Sequence, residues 1–236
     1  MLAIYKREMR SYFTSPTGYI FMAMFLAMSG LIFSICTFLS KSSATSTYFM
    51  FLLFVFIIVI PLLTMKLMSE ERKLKTEQIL LTSPVSLAGI VLAKFFAAFT
   101  LFALTFIASE IIHFSVLSAF AKDLSLGESL GNVIGILLIG GAFIAIGLFL
   151  SSLTESQIVA AISTIAVILA MVLLSSVAEY IGNDFIRVSV KWLAISSRFA
   201  PFTAGIFDLA SIIYYVSLAV IFLFLTIRVY EKRRWG

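Results

Sequence analysis

The chain has 236 residues, 61% of them hydrophobic and 12% charged, with a mean hydropathy of +1.12 and a net charge of +5. Soluble domains carry about 45–50% apolar and about 25% charged residues, so this composition excludes an ordinary water-soluble globule. Spans of about 20 residues fit roughly six times with short loops, which leaves no room for a soluble catalytic domain.

Residues 1–15, MLAIYKREMRSYFTS, interleave Leu2, Ile4, Tyr5, Met9, Tyr12 and Phe13 with Lys6, Arg7, Glu8 and Arg10. The pattern predicts a helix lying in the membrane interface with its basic face toward the headgroups. A cleaved signal peptide fits poorly, because the apolar run that follows is too long and no small-residue cleavage site stands out. The first span is expected over Thr17–Ser40, with Gly30 permitting close helix packing. The lone cysteine, Cys36, falls inside it and has no intrachain partner. After the polar loop KSSATST, the second span is expected over Tyr48–Met65, with Pro61 near its end removing a backbone hydrogen bond.

Residues 65–86, MKLMSEERKLKTEQILLTSPVS, form the longest strongly polar interruption and carry Lys66, Glu70, Glu71, Arg72, Lys73, Lys75 and Glu77. Ser69 is a plausible N-cap with Glu70 and Glu71 in the first turn. Glu71 and Lys75 stand at i,i+4 in the favourable order. Leu67, Leu74 and Leu81 repeat every seven residues, broadened by Ile79 and Leu80. Thr82-Ser83-Pro84 then ends the helix. Two readings fit a short amphipathic helix here. It is a solvated connector whose charges set topology, or a handle by which another protein moves this one.

The third span, Leu87–Val116, contains Lys94, Glu110 and His113. Lys94 lies about 10 Å inside its start and is expected to snorkel to the near surface. Glu110 and His113, one turn apart, lie about 35 Å from the start. They are expected as an interfacial pair facing water, with a polar relay as the alternative. The fourth span, Leu130–Leu153, carries Gly131, Gly135, Gly140, Gly141 and Gly147, a surface for close approach. SSLTESQ turns into a fifth span, Ile158–Ala178. In Glu179–Asp208 the residues Ile186, Val188, Val190 and Trp192 alternate with Arg187, Ser189 and Lys191, which suits a strand or an interfacial segment. The sixth span is expected over Leu209–Val229.

Orientation follows from the basic residues. With the N-terminus inside, Lys6, Arg7, Arg10, Lys66, Arg72, Lys73, Lys75, Lys94, Arg228, Lys232, Arg233 and Arg234 are internal, against Lys41, Lys122, Arg187, Lys191 and Arg198 outside. Twelve against five satisfies the positive-inside rule and predicts both termini and residues 65–86 in the cytosol. Because the basic residues flank spans, the charge points to membrane anchoring rather than nucleic acid. The sequence contains no GxxxxGK[ST] phosphate loop, no HExxH and a single His, so neither ATP hydrolysis nor zinc proteolysis is expected of it, and no metal site is.

SEERKLKTEQILLTSPVS resembles the cytosolic motif of type 2 ABC exporter membrane subunits, in which an acidic pair, a basic residue, Thr-x-Glu, a leucine pair and a Pro-containing turn follow the second span. Glu70, Glu71, Arg72, Thr76, Glu77, Leu80, Leu81 and Pro84 fit; Lys75 departs, since Gly usually precedes the Thr. The C-terminal RFAPFTAGIFDLASIIYYVSLAVIFLFLTIRVYEKRRW is similar to the gliding-motility-like branch of that family. The resemblance implies an all-α polytopic membrane protein of six transmembrane helices. It adds an N-terminal interfacial helix (1–15) and a re-entrant segment (186–208) before the last span, within one domain, 1–236. It implies that 65–86 docks on an ABC ATP-binding subunit, with Leu74 among the apolar contacts, and that ATP and Mg are bound by that partner and no cofactor by this chain. It places Trp192, Phe199, Pro201 and Phe202 at an outer gate. A second permease subunit, identical or paralogous, the lipid bilayer and an extracytoplasmic accessory protein are the further partners implied, in a bacterial plasma (inner) membrane. The expected function is ATP-driven export. The alternative is an ion-coupled secondary carrier using Glu110 and His113.

Overall fold

Ser15, in extended geometry, and Pro16, at a first helical position where its missing N–H costs nothing, separate an N-terminal helix from the first span. In the computed structural model, which describes residues 1–40, 45–78, 85–120 and 126–235, the described residues are helical throughout apart from short turns. Helix α1 is Leu2–Thr14 and α2 is Pro16–Phe33, prolonged by a π-helical turn, Ser34–Leu39. Next come α3 (Thr45–Thr64), the short α4 (Ser69–Lys73), α5 (Leu87–Phe120), α6 (Leu126–Leu153) and α7 (Gln157–Ala178). Two short helices, α8 (Asp184–Leu193) and α9 (Ile195–Thr203), precede α10 (Leu209–Trp235). Six stretches are long and apolar enough to cross a membrane: Pro16–Leu39, Ser46–Lys73, Leu87–Ala119, Gly127–Leu153, Gln157–Ala178 and Leu209–Arg234. The last helix runs past Val229, where the apolar pattern ends, because its basic end has partners, described below.

Helix α6 is the centre, touching α3, α4, α5, α7, α9 and α10. Its residues Ile139 and Ala142–Ile146 are buried. Gly147 explains how α3 comes so near: a Cβ there would lie 2.2 Å from Thr64 Oγ1. Gly131 and Gly135 seat α9 instead, since a Cβ would lie 2.7 Å from the Phe202 carbonyl oxygen and 2.8 Å from the Phe199 ring. Gly30 does not have the packing role expected of it; nothing lies within 4 Å of a Cβ added there. Beside α6, the rings of Phe21, Phe25, Phe56, Phe102 and Phe106 join α2, α3 and α5, with Phe25 about equally far from the other four.

The alternation at 186–192 is not a strand. Asn183 caps α8 by accepting the Phe185 N–H at 3.0 Å, and Asp184, Arg187 and Lys191 then share one side of a strongly amphipathic helix. Tyr215 donates to the Ile195 carbonyl at 2.9 Å, and Ser196 to the Val172 carbonyl at 3.0 Å, which fixes α9 to α10 and α7. Asp208 starts α10 by accepting the Ser211 hydroxyl (2.6 Å) and the Ser211 and Ala210 N–H groups (3.0 and 3.2 Å). The Ser211 hydroxyl is the main reason its pKa lies below the ordinary aspartate value.

The packing gives a direct test. Gly147→Leu should destabilise the detergent-solubilised protein by about 1–3 kcal/mol or more, read as a lower thermal midpoint, because α3 must move away. Gly30→Leu should leave the midpoint unchanged.

Candidate functional site between the second and third spans

The polar segment starts where α3 ends. Its short helix α4 is capped from another helix rather than by its own first serine. Ser151, at the end of α6, accepts the N–H groups of Met68 and Ser69, each at 3.1 Å, and donates to the Met65 carbonyl at 3.1 Å. Ser69, the residue expected to cap, donates its hydroxyl back to Met65 and is buried.

Lys94 is the second anchor, and it does not snorkel: it is 1% exposed. Its ammonium donates to the Leu67 carbonyl at 2.7 Å and to Glu8 Oε1 at 3.2 Å, and it pairs ionically with Glu71 Oε1 at 3.0 Å. Arg7 completes the cluster, 2.7 Å from Glu8 and 2.8 Å from Glu71. Two cations and two carboxylates from α1, α4 and α5 thus balance. Glu71 is committed to this cluster and not to Lys75, as its i,i+4 spacing suggested. Its Oε2 is buried with no hydrogen-bond partner. Nearby in α1, Tyr12 is buried with its hydroxyl unpartnered, and burial pushes its pKa above the ordinary tyrosine value.

The rest of the segment is braced similarly. Arg72 pairs with Glu155 at 3.0 Å and donates to the Leu153 carbonyl at 2.9 Å, satisfying an end of α6. Glu77, buried, accepts from Arg233 of α10 at 3.0 Å, and the same guanidinium reaches the Ser152 carbonyl. Tyr230 donates to the Met68 sulfur at 3.1 Å, and Lys66 to Thr17 of α2 at 3.0 Å. One segment is therefore tied to α1, α2, α5, α6 and α10.

These contacts divide the sequence-derived residues. Glu71, Arg72 and Glu77 face inward, whereas Leu74 (64% exposed) and Thr76 face out beside Lys73 and Lys75; Glu70 is half-buried. The seven-residue leucine repeat does not share one environment, because Leu67 is buried and Leu74 is not. The helix is also shorter than its apolar pattern suggested, ending at Lys73, and Lys75 takes φ +58°, a left-handed turn at the position where the resembling motif carries Gly. Ile79, Leu80, Leu81 and Pro84 lie outside the described residues.

At the opposite end of the bundle, Phe199 and Phe202 are fully buried against α6 and Pro201 is half-buried. Trp192 is exposed, under the Arg198 guanidinium at 4.6 Å, so these four residues do not form one cluster. Glu110 and His113 do come together, but through Tyr48, which the sequence pattern did not single out. Tyr48 donates to Glu110 Oε1 at 2.6 Å, His113 Nδ1 lies 3.1 Å from the Tyr48 oxygen, and Phe33 stacks on the imidazole at 4.3 Å. The pair is largely buried, not water-facing as expected. Among the described residues no group of His, Cys, Asp and Glu could hold a metal ion.

Lys94 supports a stability test. Lys94→Met would leave the part-buried Glu8 and Glu71 with Arg7 as their only cation in the cluster. It should cost about 3–5 kcal/mol, measured by thermal unfolding of the purified protein. An unchanged midpoint would show the cluster to be energetically neutral.

No curated protein matches the chain. A family model described as ABC-2 family transporter protein matches residues 34–230, from the end of the first span to the last helix. That range takes in α4 and the contacts of its flanking residues with α5, α6 and α10, and the six apolar helices suit a membrane transport component that is not itself catalytic. The chain belongs to the ABC-2 family of transporter proteins, as a membrane permease component, and membership of that family implies partnering with an ABC ATP-binding subunit.

Proposed function

We propose that this chain is the membrane subunit of an ATP-driven exporter, of the gliding-motility-like branch, and that residues 65–86 couple it to the ATP-binding subunit. ATP and Mg would be held by that partner. The observation that carries the reading is the contrast within one short segment. Its tip, Lys73 to Thr76, is exposed and includes an apolar leucine, while its flanks are bonded to α1, α2, α5, α6 and α10. A protein gripping the tip would bear on all of those helices, because ion pairs and hydrogen bonds tie the segment to each of them. Docking therefore falls to Leu74 and Thr76, with Lys73 and Lys75 supplying charge, whereas Glu71, Arg72 and Glu77 transmit the displacement. Two such permeases, identical or paralogous, flank the cargo path in a bacterial inner membrane. The surfaces of α2, α7 and α10 left uncovered in one chain support that assembly. Low polarity across the spans favours a lipid-like, amphiphilic or hydrophobic-peptide cargo. The outer helices α8 and α9 close the far end, with Phe199 and Phe202 wedged on α6.

The docking surface is tested by Leu74→Asp combined with Lys73→Glu. The variant should reach normal membrane levels, because neither side chain is buried, yet lose the copurifying ATP-binding subunit and transport. Glu128→Lys, exposed at the opposite end, should do neither. Retained partner binding in the double variant would reduce the segment to a connector.

Orientation is tested separately. In a Cys36→Ser background, a cysteine replacing Gly182 should react with an impermeant maleimide added to intact cells, and one replacing Thr76 should react only after the membrane is opened. External labelling at position 76 would reverse the topology.

A further inference from the structure

Beside the Tyr48–Glu110–His113 group lies a cavity of about 370 Å³, within the range of small-molecule sites. Its walls are almost entirely apolar and include Phe33, Phe49, Ile111, Phe114, Leu117 and Val133, from α2, α3, α5 and α6. Glu110, His113 and Tyr48 are the titratable groups that line it. The hydrogen bonds fix what each can offer. With Tyr48 giving its proton to Glu110 Oε1, the neutral imidazole tautomer that fits carries its proton on Nδ1, toward the phenol oxygen, and offers Nε2 as an acceptor. Glu110 Oε2 has no hydrogen bond among the described residues. The only ion-pair contact that Glu110 makes among them is His113 at 3.9 Å, without Lys or Arg. Phe33 and Tyr48 hold the imidazole between them, stacked at 4.3 Å and edge-on at 5.4 Å, so the acceptors are set in place before any ligand arrives.

A carboxylate in an apolar chamber lacks a strong cation, a neighbouring imidazole nitrogen accepts, and aromatic faces stand around both. This combination selects a ligand with an N–H-rich positive head and a hydrocarbon body. We propose that the cavity binds a lipophilic amine. Its ammonium would be held by Glu110 Oε2 and His113 Nε2, and its chain would lie against Phe49, Phe114 and Val133. An anionic amphiphile would meet the carboxylate as a like charge, and a neutral one would forgo the charge-assisted bond. The site lies within a single chain and is present whichever direction the transporter works. The same head chemistry occurs in free alkylamines and in the ethanolamine headgroup of a phospholipid.

The test uses the full chain in phosphatidylcholine nanodiscs, with radiolabelled dodecylamine, dodecanol or dodecanoate and subtraction of empty discs. One dodecylamine should bind saturably per chain, about tenfold or more tightly than dodecanol, with dodecanoate weakest. This comparison needs no variant. Glu110→Gln should remove the preference for amine over alcohol while leaving dodecanol binding intact, an outcome that misfolding would not give. Val133→Trp should exclude both by filling the cavity. Equal affinity for the three chains, no saturable amine binding, or an undiminished amine preference in Glu110→Gln would each overturn the assignment. Replacing part of the phosphatidylcholine by phosphatidylethanolamine then distinguishes the source. Competition with dodecylamine identifies the lipid headgroup, unchanged binding identifies a free amine, and both support an ammonium ligand.

Discussion

Everything at the α4 end of this bundle depends on one desolvated ammonium. Lys94 is removed from water, and an isolated buried charge is strongly unfavourable, so its position is permitted only by the three oxygens around it. Those oxygens come from α1, the turn before α4, and α4 itself. The requirement that all three be present is what fixes these elements relative to α5. Apolar packing between helices inside a bilayer cannot do this alone, since lipid tails are as apolar as leucine. The ion cluster supplies the register that hydrophobicity does not.

Around that anchor the structure is graded. Helix α6 is covered on most sides and approached to backbone distance at Gly147 and Gly131. It ends in Ser151, Ser152 and Leu153, whose polar atoms meet α4, Arg72 and Arg233. The same helix therefore seats α9 at one end and caps α4 at the other. The two ends are joined by one continuous, tightly packed element. A ligand of the ATP-binding partner can shift the conformational balance only through contacts that differ between states. On the proposed reading, the exposed tip at Leu74 is where such a difference enters.

What the sequence makes legible is what local pattern determines. Six apolar runs of bilayer length, the amphipathic N-terminal helix and the polar segment at 65–86 are periodic or compositional features, and the structure contains each. The pairings are not legible, because they join residues far apart in the chain. Lys94 meets Glu8 across 86 positions, and Tyr48 meets Glu110 across 62. An i,i+4 partner for Glu71 and a local cap for α4 were reasonable from spacing, yet both lost to distant groups, Lys94 and Ser151. Gly30 and Gly147 look alike in sequence, and only the neighbouring helix separates an idle glycine from a required one. The role of Lys75 was obscured for a different reason. A left-handed turn is signalled by Gly, and here a lysine accepts the backbone cost, so the turn persists without its signature.

The order of residues in the Lys94 cluster has a consequence for biogenesis. Chains are made and fold from the N-terminus. Arg7, Glu8, Leu67 and Glu71 all precede Lys94 and have left the ribosome when the third span begins to emerge. The lysine thus emerges after the carboxylates it will pair with. The reverse order, a cationic span inserted first and awaiting its carboxylates, would expose a bare ammonium to lipid during synthesis. The same contacts that brace the finished protein can therefore guide the third helix to its depth as it is made.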